Sequence, residues 1–187
     1  MAHDRTFPIW LHDLQHGRRK AKERAFEAFL DAWHERIYLC SRRMLGNHED
    51  AADATQEVLI QVYKSAEQFA HRSAFSTWVY AIATRKALDA LERRKRHRSC
   101  TFDEAFFESE RALQVDPFFD GDDAARNLHA AIQALPARQN QVFVLRYFEE
   151  LSYAEIAEMT GVSEGSLKAS YHHAVAKIKS QVILSVQ

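Results

Sequence analysis

The sequence predicts an all-α chain of two small helical domains joined by an acidic, flexible linker, and three observations carry that reading. Glycine and proline are both absent between Asn47 and Asp116, which leaves long uninterrupted stretches for helix. Apolar residues recur at spacings of three and four, with no alternating β-branched runs to suggest strands. Charge is segregated: residues 1–96 hold 17 Lys and Arg against 13 Asp and Glu, residues 97–125 hold 2 against 8, and residues 126–187 hold 6 against 5. A net charge of −1 therefore hides a basic front, an acidic middle and a balanced end. With 187 residues and 47% hydrophobic content, the chain has enough apolar surface for a core in each half.

Residues 1–21 read as an N-terminal extension in which Ile9, Trp10, Leu11 and Leu14 form a short docked helix before Gly17. His12 and His16 have the four-residue spacing of a helical metal site, but no carboxylate or cysteine completes the set, so no metal is expected. The front domain spans residues 22–96. From Lys22 to Met44, the residues Phe26, Phe29, Leu30, Trp33, Ile37, Cys40 and Met44 make one core-facing stripe, which Gly46 and Asn47 end. A second helix from about Glu49 to Phe69 buries Ala51, Thr55, Val58, Val62, Ala66 and Phe69. Asp50, Asp53, Gln56, Glu57 and Gln61 then lie off that stripe, as a solvated face or as an acidic surface for a basic protein partner. After the loop His71–Ala74, a third helix runs from Phe75 to about Arg96, with Trp78, Ala81, Ile82, Leu88 and Leu91 facing inward. Its closing Arg93, Arg94, Lys95 and Arg96 suit the negative end of a helix dipole. They equally suit a phosphate backbone beside splayed bases.

Residues 97–125 carry eight carboxylates and form the linker, yet Phe102, Phe106, Phe107, Phe118 and Phe119 suggest that it docks on something part of the time. The back domain spans residues 126–187. Leu128, Ile132 and Leu135 mark one helix, Pro136 opens the next, and Val142, Phe143, Leu145 and Tyr147 supply its core. Ser152 with Glu155 is a capping box, Ile156 and Met159 form the apolar side of a short helix, and Gly161 turns the chain. Ser163 then caps a helix in which Leu167, Tyr171, Ala174 and Ile178 recur at spacings of four, three and four. Glu164, Ser166, Lys168, Ala169, His172 and His173 are left outside. These are the parts of a helix-turn-helix DNA reader, though two ordinary packed helices would share them. Cys40 and Cys100 lie in no metal spacing and point to a reducing compartment without disulfides. With no apolar run of about 18 residues and no signal-peptide core, a soluble cytoplasmic protein without membrane insertion is expected.

Taken together, Asp50 to Val58, then Trp78 to Ala83 with Ala87-Leu88-Asp89 and the basic run, then Leu135-Pro136 and the helix-turn-helix resemble a bacterial RNA polymerase sigma factor of the sigma-70 family. The small two-domain extracytoplasmic-function (ECF) class is the nearest type, and the likeness covers roughly residues 22–96 and 126–180. It implies a non-enzymatic factor that binds core RNA polymerase and promoter DNA, with no cofactor, and with an anti-sigma factor as a further partner to look for. Polymerase binding would fall to Asp50, Asp53, Gln56 and Glu57. The separated minus-ten strand would meet Arg72, Ser73, Phe75 and Arg85, with Arg93, Arg94, Lys95 and Arg96 on the backbone, while Trp78 would pack in the core. The acidic linker would thread the polymerase's nucleic-acid channel. Minus-thirty-five DNA would meet Glu164, Ser166, Lys168, Ala169, His172 and His173. Arg85 stands where the family usually has asparagine, Glu92 where arginine is usual, and histidines where the recognition helix often carries arginine. Arg85 and Asp89, four apart, suggest an ion pair on one helix face. A stand-alone helix-turn-helix regulator with a sensor front domain is the alternative reading. A metal enzyme drawing on the ten histidines has no carboxylate pair or phosphate loop to support it.

Overall fold

The computed structural model describes residues 7–98 and 123–184. Eight α-helices run through them: α1 (Ile9–His16), α2 (Arg19–Leu45), α3 (His48–Ser65), α4 (Phe75–Arg98), α5 (Asp123–Gln133), α6 (Ala137–Phe143), α7 (Tyr153–Thr160) and α8 (Glu164–Leu184). A 3₁₀ turn, Ala66–Gln68, extends α3, and a π-helical turn, Val144–Phe148, extends α6. Residues 99–122 lie outside the described part, and with them the expected linker, its phenylalanines and Cys100. Within the described residues α4 runs to Arg98 and α5 starts at Asp123.

The spine is α2, along which α1, α3 and α4 pack. Its buried residues Phe29, Trp33, Ile37, Cys40 and Met44 follow the predicted stripe, while Phe26 and Leu30 sit at its half-buried margin. The chain leaves α2 through Gly46 at φ 85°, a left-handed residue whose N–H closes on the Arg42 carbonyl. Asn47 then caps α3 by accepting from the Asp50 N–H at 2.8 Å. All six residues predicted to face inward from α3 and its extension are buried. Leu11 and Leu14 of α1 are buried too, so this helix belongs to the front core, while Ile9 points to solvent.

On α4 the predicted inward set is corrected. Val79, Tyr80, Ala83 and Ala87 are buried, and Trp78, Ile82, Leu88 and Leu91 are half-buried. The cause is that α4 is covered on more than one side: α2 and α3 pack on it, and so do α6 and α7 of the back half. A helix enclosed this way has no single apolar stripe for spacing to reveal.

In the back half, α6 and α8 pack together, with α5 and α7 against α8. Val142, Phe143 and Leu145 are buried as expected, but Tyr147 is 56% exposed and Val144 takes a core place. The π turn explains the change, because the Glu149 N–H bonds back five residues to Val144 and the helical register slips there. The helix-turn-helix forms as read. Ser152 and Glu155 complete a reciprocal capping box, and Gly161 turns the chain at φ 69°.

The two halves share a core. Val142, Val144, Leu145, Leu151, Ile156 and Leu167 lie in the same buried cluster as the front-half residues Phe29, Trp33, Ile37 and Tyr80. A smaller cluster of Ala131, Ile132, Leu135, Phe143, Ala174 and Ile178 belongs to the back half alone.

Candidate nucleic-acid and partner interfaces

The expected partner face on α3 divides in two. Asp53 and Gln56 are exposed, and Glu49 and Ile60 continue the same face at helical spacing. Ile60 is 53% exposed, which makes it an apolar residue in an acidic and amide stripe. It escaped the sequence reading, although it lies four residues past Gln56 and off the Val58–Val62 stripe. Asp50 and Glu57 instead turn toward α4. Glu57 receives Lys86 and Arg93, each at 3.1 Å, and these cations hold its carboxyl below the usual range against a desolvation that pushes it up. Arg94 reaches Asp50 at 3.2 Å and the Leu45 carbonyl at 3.1 Å.

The basic run is therefore split. Arg93 and Arg94 brace α3, and Lys95 and Arg96 are exposed at the end of α4. Further up the helix Arg85 and Glu92 are exposed, and among the described residues Arg85 forms no ion pair with Asp89. The expected pair on one helix face is not formed.

The loop ahead of α4 is held from behind. Gln15, buried on α1, donates to the carbonyls of Ala66 and Phe69 at 3.1 and 2.9 Å. Its side-chain oxygen lies 2.9 Å from His71 Nε2. His71 itself is left-handed at φ 54° and packs its ring against Phe69 and Phe7. Arg72 is exposed on this braced loop and Ser73 half-buried. Phe75 is the correction: it is only 4% exposed and touches the rings of Trp10, Phe29, Trp33, Phe69 and Trp78 at centroid distances of 5.4 to 6.1 Å. An aromatic ring beside a loop reads from sequence as a stacking platform, but five neighbouring rings make it a core residue. Trp78 packs on the same cluster but stays half-buried.

On α8 all six outward residues, Glu164, Ser166, Lys168, Ala169, His172 and His173, are exposed. Leu167, Ala174 and Ile178 bury the opposite side, which fixes the rotation of the helix. Lys168 lies 3.4 Å from Glu164 and 5.6 Å from the Tyr153 ring centre, so its ammonium sits at the junction of α7 and α8. Gly165 has open space around its Cα, which keeps the N-terminal turn of α8 slim enough to approach another surface.

His12 and His16 are exposed, their rings 5.4 Å apart, and no group of three or more metal-ligating side chains occurs among the described residues. No helix among them is long and apolar enough to cross a membrane.

Comparison with known proteins places both halves. The family model Sigma-70 region 2 matches residues 29–97, and Sigma-70, region 4 matches residues 125–178. The chain is 30% identical over 173 residues to the ECF RNA polymerase sigma factor SigW of Bacillus subtilis, covering 88% of this chain and 92% of that protein. It is 31% identical over 136 residues to the RNA polymerase sigma factor SigV of the same species, covering 73% and 78%. Among solved structures, the sigma factor RpoE from Bartonella quintana, in complex with the anti-sigma factor NepR, aligns with TM-score 0.70 at 18% identity, over 84% of this chain and 96% of that one. CnrH in complex with the cytosolic domain of CnrY aligns with TM-score 0.64 at 20% identity, over 96% and 97%. At these identities the two structures speak for the fold.

Proposed function

The chain belongs to the RNA polymerase sigma factors of the sigma-70 family, in their extracytoplasmic-function class, and from that premise we propose how its surfaces divide the work. It directs promoter-specific transcription with core RNA polymerase and promoter DNA as its partners. The α3 face of Asp53, Gln56 and Ile60 docks on the polymerase, with Asp50 and Glu57 at its flank. Arg72, Ser73 and Arg85, with Lys95 and Arg96, meet the separated minus-ten strand. The outer face of α8, from Glu164 to His173, enters the major groove of minus-thirty-five DNA. The chain makes and breaks no bond. It acts by binding separated strands better than duplex, so that base capture offsets an unpairing cost of a few kcal/mol per step. It works in the cytoplasm, and an anti-sigma protein is a further partner to test, since one solved neighbour is in complex with an anti-sigma factor and the other with the cytosolic domain of CnrY.

The observation that carries the division is that α8 presents six polar or small residues outward, straight after a left-handed glycine turn, while its apolar side is buried. Reconstitution with core polymerase tests it. The Lys168→Ala, His172→Ala double variant is expected to lose upstream promoter contact while still co-purifying with polymerase. Equal loss of both refutes the division. The stand-alone regulator is not favoured, since family modules account for both halves in this order.

A further inference from the structure

α1 lies ahead of residues 29–97, the part that the region 2 model matches, yet it reaches a loop inside that part. Leu11 and Leu14 anchor it in the front core and leave Gln15, 6% exposed, beneath the turn that follows α3. The Gln15 amide has two N–H donors, and both go to backbone carbonyls, Ala66 at 3.1 Å and Phe69 at 2.9 Å. A carbonyl can only accept, so this pair fixes which end of the amide is nitrogen. The oxygen end then lies 2.9 Å from His71 Nε2, and that oxygen has no proton to give. His71 Nε2 must therefore carry the hydrogen.

A neutral imidazole protonated at Nε2 is an acceptor at Nδ1. Among the described residues Nδ1 has no hydrogen-bond partner, and His71 is exposed. The ring is held in place: its centre lies 4.7 Å from that of Phe69 and 4.4 Å from that of Phe7, and those two rings meet at 6.0 Å. The backbone is held too, since φ 54° is a left-handed conformation that residues other than glycine rarely adopt. Such strain persists where surrounding contacts enforce it, and here Gln15 and the two phenylalanines do so. The next residue, Arg72, is exposed and offers a cation to a phosphate. A fixed acceptor beside a cation suits a nucleotide whose base has left the stack. Its phosphate meets Arg72 while an N–H on its base edge meets Nδ1.

We propose that His71 reads one unstacked base of the minus-ten strand as a hydrogen-bond acceptor, selecting adenine or cytosine, and that Gln15 on α1 is the positioning residue that holds His71 in the reading tautomer. Adenine and cytosine carry an exocyclic amino group that can donate to Nδ1. Guanine and thymine carry a keto oxygen at the same place, which sets one acceptor against another. Gln15 never touches the base and acts through His71 alone. The proposal rests on the sigma-factor reading for the strand that is met, whereas the tautomer is a property of the free chain.

Two measurements on the full chain test it. In the first, the chain and core polymerase transcribe a promoter library randomised at both elements, and sequencing the transcribed members gives the base preference at each position. The wild type is expected to favour adenine or cytosine at one non-template minus-ten position by about fivefold, the worth of one hydrogen bond. His71→Gly, which takes the left-handed backbone without strain, is expected to lose that preference and keep those at other positions. Gln15→Met, close in size but without the amide, is expected to weaken the same preference at the same position. A profile that His71→Gly leaves unchanged, or flattens at every position alike, overturns the base contact. In the second, nitrogen-15 NMR in alkaline buffer reports which ring nitrogen of His71 carries the proton. The wild type is expected to hold it on Nε2, and Gln15→Met to share it between both nitrogens. A wild-type proton on Nδ1, or the same tautomer in both proteins, overturns the positioning role of Gln15. His71→Gly and the wild-type tautomer decide the proposal even where Gln15→Met folds poorly. If the wild type gives no promoter-specific transcript from any library member, the sigma-factor reading fails instead, and the NMR result still decides the role of Gln15.

Discussion

His129 shows how far one side chain's chemistry depends on a partner 87 positions away. It is buried against Arg42, and desolvation together with that cation lowers its pKa from 6.5 to about 4. The folded ring is therefore neutral and accepts from the guanidinium at Nε2. The unfolded chain takes up the proton first, so stability falls as pH drops from 6.5 towards 4, by up to about 3 kcal/mol in full. Glu149 opposes this: burial raises its pKa above 4.5, so the folded state holds its proton more readily and loses that advantage as pH rises. Thermal melts across this window are expected to show a shallow wild-type dependence, which Glu149→Gln steepens and His129→Gln turns to the opposite sign. Identical slopes for all three would contradict the assignment. Phe75 belongs to the same scale. Phe75→Ala removes a ring from the centre of five others and is expected to cost about 3–5 kcal/mol in a urea melt, whatever DNA is present. A variant of wild-type stability with a purely promoter-specific defect would return Phe75 to the DNA surface.

At the scale of the element, helices whose signals are local were legible and those set by distant partners were not. The helix-turn-helix could be read because its capping box, glycine turn and four-three-four spacing all sit within 30 residues. The α3 stripe was equally clear, since one side faces α2 and α4 and the other faces water. The π turn at Val144–Phe148 left no such mark, because its extra residue is stabilised where Glu149 meets Arg43 of the other half. Nor could composition show that Arg93 and Arg94 serve α3, as a run of cations looks the same whether it holds phosphates or carboxylates. This division gives a graded prediction for α3. Asp53→Arg, on the exposed face, is expected to weaken polymerase binding strongly, whereas Glu57→Gln mainly releases Arg93 and Lys86 and alters binding less. A pull-down titration compares them, and the reverse order would move the docking face to the α4 side. On α8, Lys168→Ala is expected to reduce the slope of log affinity against log salt by about 0.9. An unchanged slope would remove Lys168 from the phosphate contacts.

For the whole molecule, the shared core has a thermodynamic consequence that neither half has alone. Leu145, Leu151 and Ile156 are buried among front-half residues, so unfolding either half exposes surface belonging to the other. Two domains coupled in this way melt together when the energy of their contact exceeds the difference in their separate stabilities. The wild type is expected to unfold in urea as one transition, with fluorescence from Trp10, Trp33 and Trp78 in the front half coinciding with the loss of total helicity. Glu149→Arg, which sets like charges against each other where residue 149 meets Arg43, is expected to separate the two signals. Each step would then carry a smaller m-value, because each exposes only part of the surface. Helicity lost well before tryptophan fluorescence in the wild type itself would mean that the back half unfolds independently of the core it shares with the front half.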